Sequence, residues 1–134
     1  MKKEDYWILF SNFFLVLPVI FATLYHQWLY CFFAVGLCIF SPLFHWYRIT
    51  DRKSVYFLVS RILDWLFALA AFIYMYYFIY HHTVGKSQTM LSVLLSLIVL
   101  FFLYGWLFGN YKKLHPWFHI MAPIVSSIIL IVAH

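Results

Sequence analysis

Met90–Phe108 reads MLSVLLSLIVLFFLYGWLF, nineteen residues without a single charge, and this stretch decides the class of fold. A helix that crosses the hydrocarbon core of a bilayer needs about 20 predominantly apolar residues. The whole chain agrees with that reading. Of its 134 residues, 66% are hydrophobic, 25% are Phe, Tyr or Trp, and only 10% are charged. A soluble domain is about 45–50% apolar and about a quarter charged. The chain has too little polar surface to cover a water-facing sphere. A cytosolic globular enzyme is excluded, and so is intrinsic disorder.

Four further runs meet the same criterion, at about Tyr6–Leu24, Trp28–Trp46, Val55–Tyr80 and Trp117–Ala133. The expected fold is therefore all-α, an integral membrane bundle of five transmembrane helices forming one domain over residues 1–134. The links are short, and there is neither an internal repeat nor a low-complexity linker. Pro18 is a candidate kink in the first span, which also carries Asn12. Lys2 and Lys3 before an apolar run imitate a signal peptide. Glu4 and Asp5 sit in that basic region, and no small-residue cleavage site follows, so the run reads as a retained first helix.

The net charge of +5 fits topology better than nucleic acid, which is not expected as a partner. With the N-terminus cytoplasmic and five helices threaded, Lys2, Lys3, Arg48, Arg52, Lys53, Arg61, Lys112 and Lys113 fall inside. Only Lys86 falls outside, a bias of eight against one. The C-terminus is then outside. Trp and Tyr at the span ends (Trp7, Trp28, Trp46, Tyr47, Tyr80, Trp117) suit the two membrane interfaces. Cys31 and Cys38 are seven apart within one apolar run and read as free thiols.

Ionisable groups inside a span are expensive, so each is a functional candidate. His45 ends the second helix, Asp64 lies a few turns into the third, and His115 and His119 start the fifth. Threading brings all of them to the cytoplasmic side at similar depth. Ser41 and His45 are four apart, as are His115 and His119, so each pair shares a helix face. Two histidines at i and i+4 can share a metal ion. A third from another helix makes a His₃ set with an open fourth position, the pattern of catalytic zinc. Zinc lowers the pKa of water in that position to about 7. Asp64 can then move the proton, and Ser41 can donate to a developing oxyanion. Plainer readings stand beside this one. A single HxxxH pair arises readily by chance in a chain with seven histidines. His45 alone suits a wetted interface, Asp64 can pair with Arg61 three residues earlier, and Ser41 can be a helix-packing serine.

These residues resemble the motif set of the CREST superfamily, which groups the alkaline ceramidases with the progestin/adiponectin-type receptors, the hemolysin III proteins and related membrane hydrolases. The shared pattern is Ser-x-x-x-His near the end of the second helix, Asp in the third, and His-x-x-x-His at the start of the last. Here it reads SPLFH at Ser41–His45, ILDW at Ile62–Trp65 and HPWFH at His115–His119. The resemblance implies zinc on His45, His115 and His119, with Asp64 and Ser41 around the bound water. It also implies hydrolysis of an amide or ester bond in a membrane lipid of the ceramide kind. The family has seven helices and this chain five, so lipid or a homodimer is expected to wall the cavity. The spacing between His45 and Asp64 is closer to the receptor and hemolysin III branch. Pro116 directly follows His115, which leaves two readings of that ligand, a helix cap or an i, i+4 partner of His119.

The sequence-level expectation is thus a zinc-dependent lipid hydrolase with its site toward the cytoplasmic side of a bacterial inner membrane. The rivals are a non-catalytic hemolysin III or receptor-type protein with structural zinc, a bis-His haem b protein using His45 and His119, and a small membrane subunit without a site. His81 and His82 with Lys86 read as a solvated outer loop. His26 and His134 face away from the site. The aromatic run Tyr74–Tyr80 reads as lipid-facing, and no phosphate-binding loop or nucleotide fingerprint is present.

Overall fold

The computed structural model describes residues 3–109 and 111–134. Lys2, counted in the orientation above, lies outside the described residues. The fold is all-α, with no strand among the described residues. The helices are α1 (Lys3–Ser11), α2 (Val16–Leu24), α3 (Trp28–Thr50), α4 (Val55–His82), α5 (Gly85–Leu107) and α6 (Tyr111–Val132). A 3₁₀ turn, Asn12–Leu15, joins α1 to α2, so that together they make the first span. Five stretches are long and apolar enough to cross a membrane: Asp5–Leu24, Trp28–Thr50, Val55–His82, Gly85–Leu107 and Tyr111–Val132.

The break in the first span has a local cause. Pro18 has no N–H, which leaves the Phe14 carbonyl without its i+4 donor. Just upstream, the Ser11 hydroxyl and the Asn12 amide both donate to the Ile8 carbonyl, at 2.8 Å and 2.7 Å. Such side-chain bonds compete with the helical ladder, and the backbone tightens through the gap.

The helices run further than the apolar runs suggest. α5 begins at Gly85 rather than near Met90, and α6 at Tyr111 rather than Trp117. Lys86–Thr89 and Lys112–Leu114 are polar or mixed, so hydropathy does not mark them. Gly109 closes α5 with φ +73°, the left-handed conformation that glycine adopts without a Cβ penalty.

Successive spans alternate in direction. At one end Trp7 meets Trp117 with ring centroids 5.9 Å apart, and Tyr47 stacks on Tyr56 at 5.6 Å. At the other end Tyr25 meets His134 at 4.6 Å. Arg48, Arg52, Lys53, Lys112 and Lys113 all lie at the first of these ends. α6 is the most enclosed span, packed against α5, α2 and α1.

α3 packs chiefly on α4. The contact depends on Gly36, because a Cβ there would overlap the Phe67 ring. That ring is itself held between Phe32 and Phe40, each 5.5 Å away. Phe78, Met75, Ile79, Leu95, Ile129 and Leu130 fill the core. Of the aromatic run expected to face lipid, Tyr76, Tyr77 and Tyr80 do turn outward. Phe78 does not, and Tyr74 donates to Gln27 Oε1 at 2.7 Å, because a helical period sends every third or fourth residue inward. Large apolar side chains such as Phe32, Ile73 and Leu100 cover the outside, as a lipid-facing surface requires.

Candidate metal centre

α3 and α6 bring three histidines together. His45 lies in the last two turns of α3, and His115 and His119 lie one turn apart in the first half of α6. Their side chains are 0%, 7% and 4% exposed, so this is a buried cluster rather than a wetted interface. The Nε2 atoms of His115 and His119 are 2.9 Å apart, and those of His115 and His45 are 3.3 Å apart. Each residue offers one ring nitrogen, and these nitrogens all lie within 4.8 Å of one another. Three buried histidines are therefore close enough to hold one metal ion.

The spacing can be tested against a real ion. Zinc–nitrogen bonds of about 2.0–2.1 Å at tetrahedral angles place two ligand nitrogens about 3.3 Å apart. Two of the three separations sit at or just under that value, and the third lies within 4.8 Å. Protonation points the same way. A neutral imidazole carries one N–H and one lone pair. Without an ion the two short contacts are N–H···N hydrogen bonds whose direction depends on the tautomer, and a bound cation would take the three lone pairs instead. The three Nδ1 atoms are buried and have no hydrogen-bond partner among the described residues. The donor set fits a borderline-soft divalent ion and excludes the hard, oxygen-seeking ones.

His115 is a helical residue, not a cap. Because α6 starts four residues before it, Pro116 falls inside the helix and is itself buried. Of the two readings of His115, the cap is thereby set aside. Pro116 removes only the donor that the Lys112 carbonyl would have used, close to the helix start. His115 and His119 keep the i, i+4 relation.

Asp64 and Ser41 are buried as well, at 8% and 2% exposure. The Ser41 hydroxyl lies beside the Asp64 carboxylate. Ser41 lies one turn before His45 on α3, so the pair sits one turn deeper than the His45 ring. Asp64 is not among the clustered metal-ligand atoms. The exposed Arg61 does not serve as its counter-ion; that guanidinium lies 5.4 Å from the Phe57 ring centroid.

Two neighbours of the cluster carried no signal as site residues when the sequence was read for histidines and carboxylates. Tyr111 stacks on His115 with centroids 4.2 Å apart and planes 23° apart. Arg48 places its Cζ 4.5 Å from the Tyr111 ring centroid. Their spacing is the signal that finds them: Tyr111 is four before His115, and Arg48 is three after His45. Phe44 and Phe102 complete an aromatic surround, 4.7 Å from His45 and 5.6 Å from His115. A shallow crevice between α5 and α6, lined by Phe102, Gly105, Tyr111 and Leu114, reaches His115 from the side.

The arrangement leaves no slot for a haem between His45 and His119. Their ring centroids are 5.0 Å apart, and His115 contacts both rings. The remaining histidines His26, His81, His82 and His134 are exposed and outside the cluster, as expected. Cys31 and Cys38 are free thiols. No family model, curated protein or solved structure matches this chain. The functional reading therefore rests on the residues and their geometry.

Proposed function

We propose that the protein is a zinc-dependent intramembrane hydrolase of the CREST type, which cleaves an amide or ester bond in a membrane lipid. The observation that carries the reading is the convergence of the His45, His115 and His119 Nε2 atoms beside a buried Ser41–Asp64 pair. A structural metal has no need of an acid one turn away that is buried, makes no bond to the ligand set and lies beside a serine. The order of the five residues, and the spacing within each motif, resemble the family's pattern over three helices.

His45, His115 and His119 would hold the ion and leave a coordination position open. Zinc, when bound, supplies Lewis acidity toward a carbonyl and makes water acidic enough to act at neutral pH. Asp64 accepts the proton from the attacking water and returns it to the departing amine or alcohol. The water's oxygen ends in the released fatty acid, and the proton ends on the leaving group, so the reaction consumes one water and needs no other reactant. Ser41 acts through Asp64: its hydroxyl fixes the carboxylate's position and is a positioning residue on this reading. The aromatic surround limits bulk water around the cluster. The basic end of the bundle faces the cytoplasm.

The test is purified protein in detergent, loaded with one equivalent of zinc and given ceramide, diacylglycerol and phospholipid panels. Fatty-acid release that stops on chelation and returns with zinc supports the proposal. Zinc-loaded protein that releases no fatty acid from any of them overturns the hydrolase and leaves the non-catalytic receptor-type reading.

A further inference from the structure

Arg48 is half-buried, and among the described residues no carboxylate pairs with it. Asp51, the acid nearest in sequence, instead accepts the Lys53 backbone N–H at 3.2 Å. A guanidinium partly withdrawn from water without an anion is costly. The Tyr111 ring offsets some of that cost through its π face, 4.5 Å from Cζ, and its hydroxyl lies near enough to take one of the guanidinium's five N–H groups, which leaves the rest of the planar fork for another acceptor.

The placement of this cation is specific. Lys and Arg collect at one end of many membrane proteins for reasons of topology alone. Lys112, Lys113 and Arg52 suit that explanation, being exposed. Arg48 differs from them. It sits in the last turn of α3, three residues beyond the ligand His45, and packs on a ring that in turn stacks on the ligand His115. Arg52 folds back over the same turn, its Nε donating to the Arg48 carbonyl at 2.7 Å. Two guanidinium-bearing residues and the lysine pair at the start of α6 thus lie at the same end of the bundle as the metal centre. Headgroups lie at this span end, and the cluster lies about one turn deeper, where the first carbons of an acyl chain lie.

We infer that Arg48, held by Tyr111 and reinforced by Arg52, Lys112 and Lys113, is a binding site for the phosphate of an anionic phospholipid headgroup. A planar fork binds a phosphate through two oxygens, and the surrounding cations favour a headgroup with net negative charge over a zwitterionic one. Where the proposed hydrolysis holds, and this refinement rests on it, the substrate class shifts from neutral ceramide-like lipids to anionic phospholipids. The phosphate sets the depth at which the acyl linkage meets the metal centre.

Native mass spectrometry of the full chain, with phosphatidylglycerol, phosphatidylcholine and diacylglycerol in competition, tests this directly. The wild type is expected to prefer phosphatidylglycerol by roughly tenfold over the other two. Arg48→Gln should abolish the preference, and Arg48→Lys should retain only part of it, because an ammonium keeps the charge and loses the fork. Zinc content measured in the same samples reports whether each variant has kept its fold. Equal binding of all three lipids by zinc-loaded wild type overturns the inference, and so does an Arg48→Gln variant that keeps both zinc and the preference. Inorganic phosphate at millimolar concentration distinguishes the sources: displacement of the lipid by it would assign the site to free phosphate and overturn the lipid assignment. Failure here is separable from failure of the hydrolase reading. Cleavage of ceramide without headgroup preference leaves the enzyme standing, whereas preference without cleavage of any lipid leaves the phosphate site standing.

Discussion

The Nε2 atom of His45 lies 3.3 Å from that of His115, although the two residues are 70 positions apart in the chain. A separation that short joins α3 to α6 in the buried interior, and a metal ion would lock it. Metal binding is then also bundle stability. A ligand at a thousand times its Kd stabilises the state it binds by about 4 kcal/mol. Chelation is expected to lower the thermal midpoint of the detergent-solubilised protein, and zinc to restore it. Acidification is expected to act like chelation, since imidazoles must be neutral to bind and protons compete for them. Differential scanning fluorimetry with and without chelator checks both, and an unchanged midpoint counts against the account.

Asp64→Asn is expected to keep the metal and lose the chemistry. An amide has nearly the same shape and can still partner Ser41, but it cannot carry a proton between water and leaving group. Lipid hydrolysis should fall by about 10²–10⁴-fold with zinc content unchanged. Ser41→Ala should cost less, because the carboxylate remains and only its orientation suffers. Asp64→Asn at full activity would remove Asp64 from the mechanism.

Much of this architecture was legible in the sequence, and the exceptions have physical causes. The five spans follow from length and hydropathy, and the site follows from helical spacing at one depth. The start of α6 was not legible, because Tyr111–Leu114 mixes basic and apolar residues and carries no hydropathy signal. That one gap left the cap reading of His115 open. The 3₁₀ turn at Asn12–Leu15 was foreshadowed by Pro18 but displaced from it, since the lost hydrogen bond belongs to the turn before a proline. Arg48 was visible only as a topology charge, and Tyr111 was not singled out. Their roles emerge only when α3 and α6 are brought side by side.

Because His115 already lies within α6, Pro116 is not what positions it. Pro116→Ala supplies the missing N–H to the Lys112 carbonyl and should leave the metal stoichiometry unchanged. Metal analysis of the variant checks this. Loss of the ion would mean that the proline sets the angle between the two α6 histidines.

Gly36→Ala should loosen the site from a distance. The new methyl group overlaps Phe67, whose ring is wedged between Phe32 and Phe40 and cannot simply swing away. Overpacking of this kind costs about 1–3 kcal/mol. It pushes α4 from α3 and with it Asp64 from Ser41. The expected result is a lower thermal midpoint and reduced hydrolysis at unchanged zinc content, because all three ligands are on α3 and α6. Loss of zinc in this variant would show that α4 also supports the ligand set.

The central claim is the three-histidine metal centre, and elemental analysis tests it most directly. Wild-type protein and a His115→Ala/His119→Ala double variant are purified in detergent without chelator, and each is checked for helical content and monodispersity. The account predicts about one zinc per chain in the wild type and none in the equally helical double variant. A metal-free wild type, or a variant that retains the wild-type amount, would contradict it.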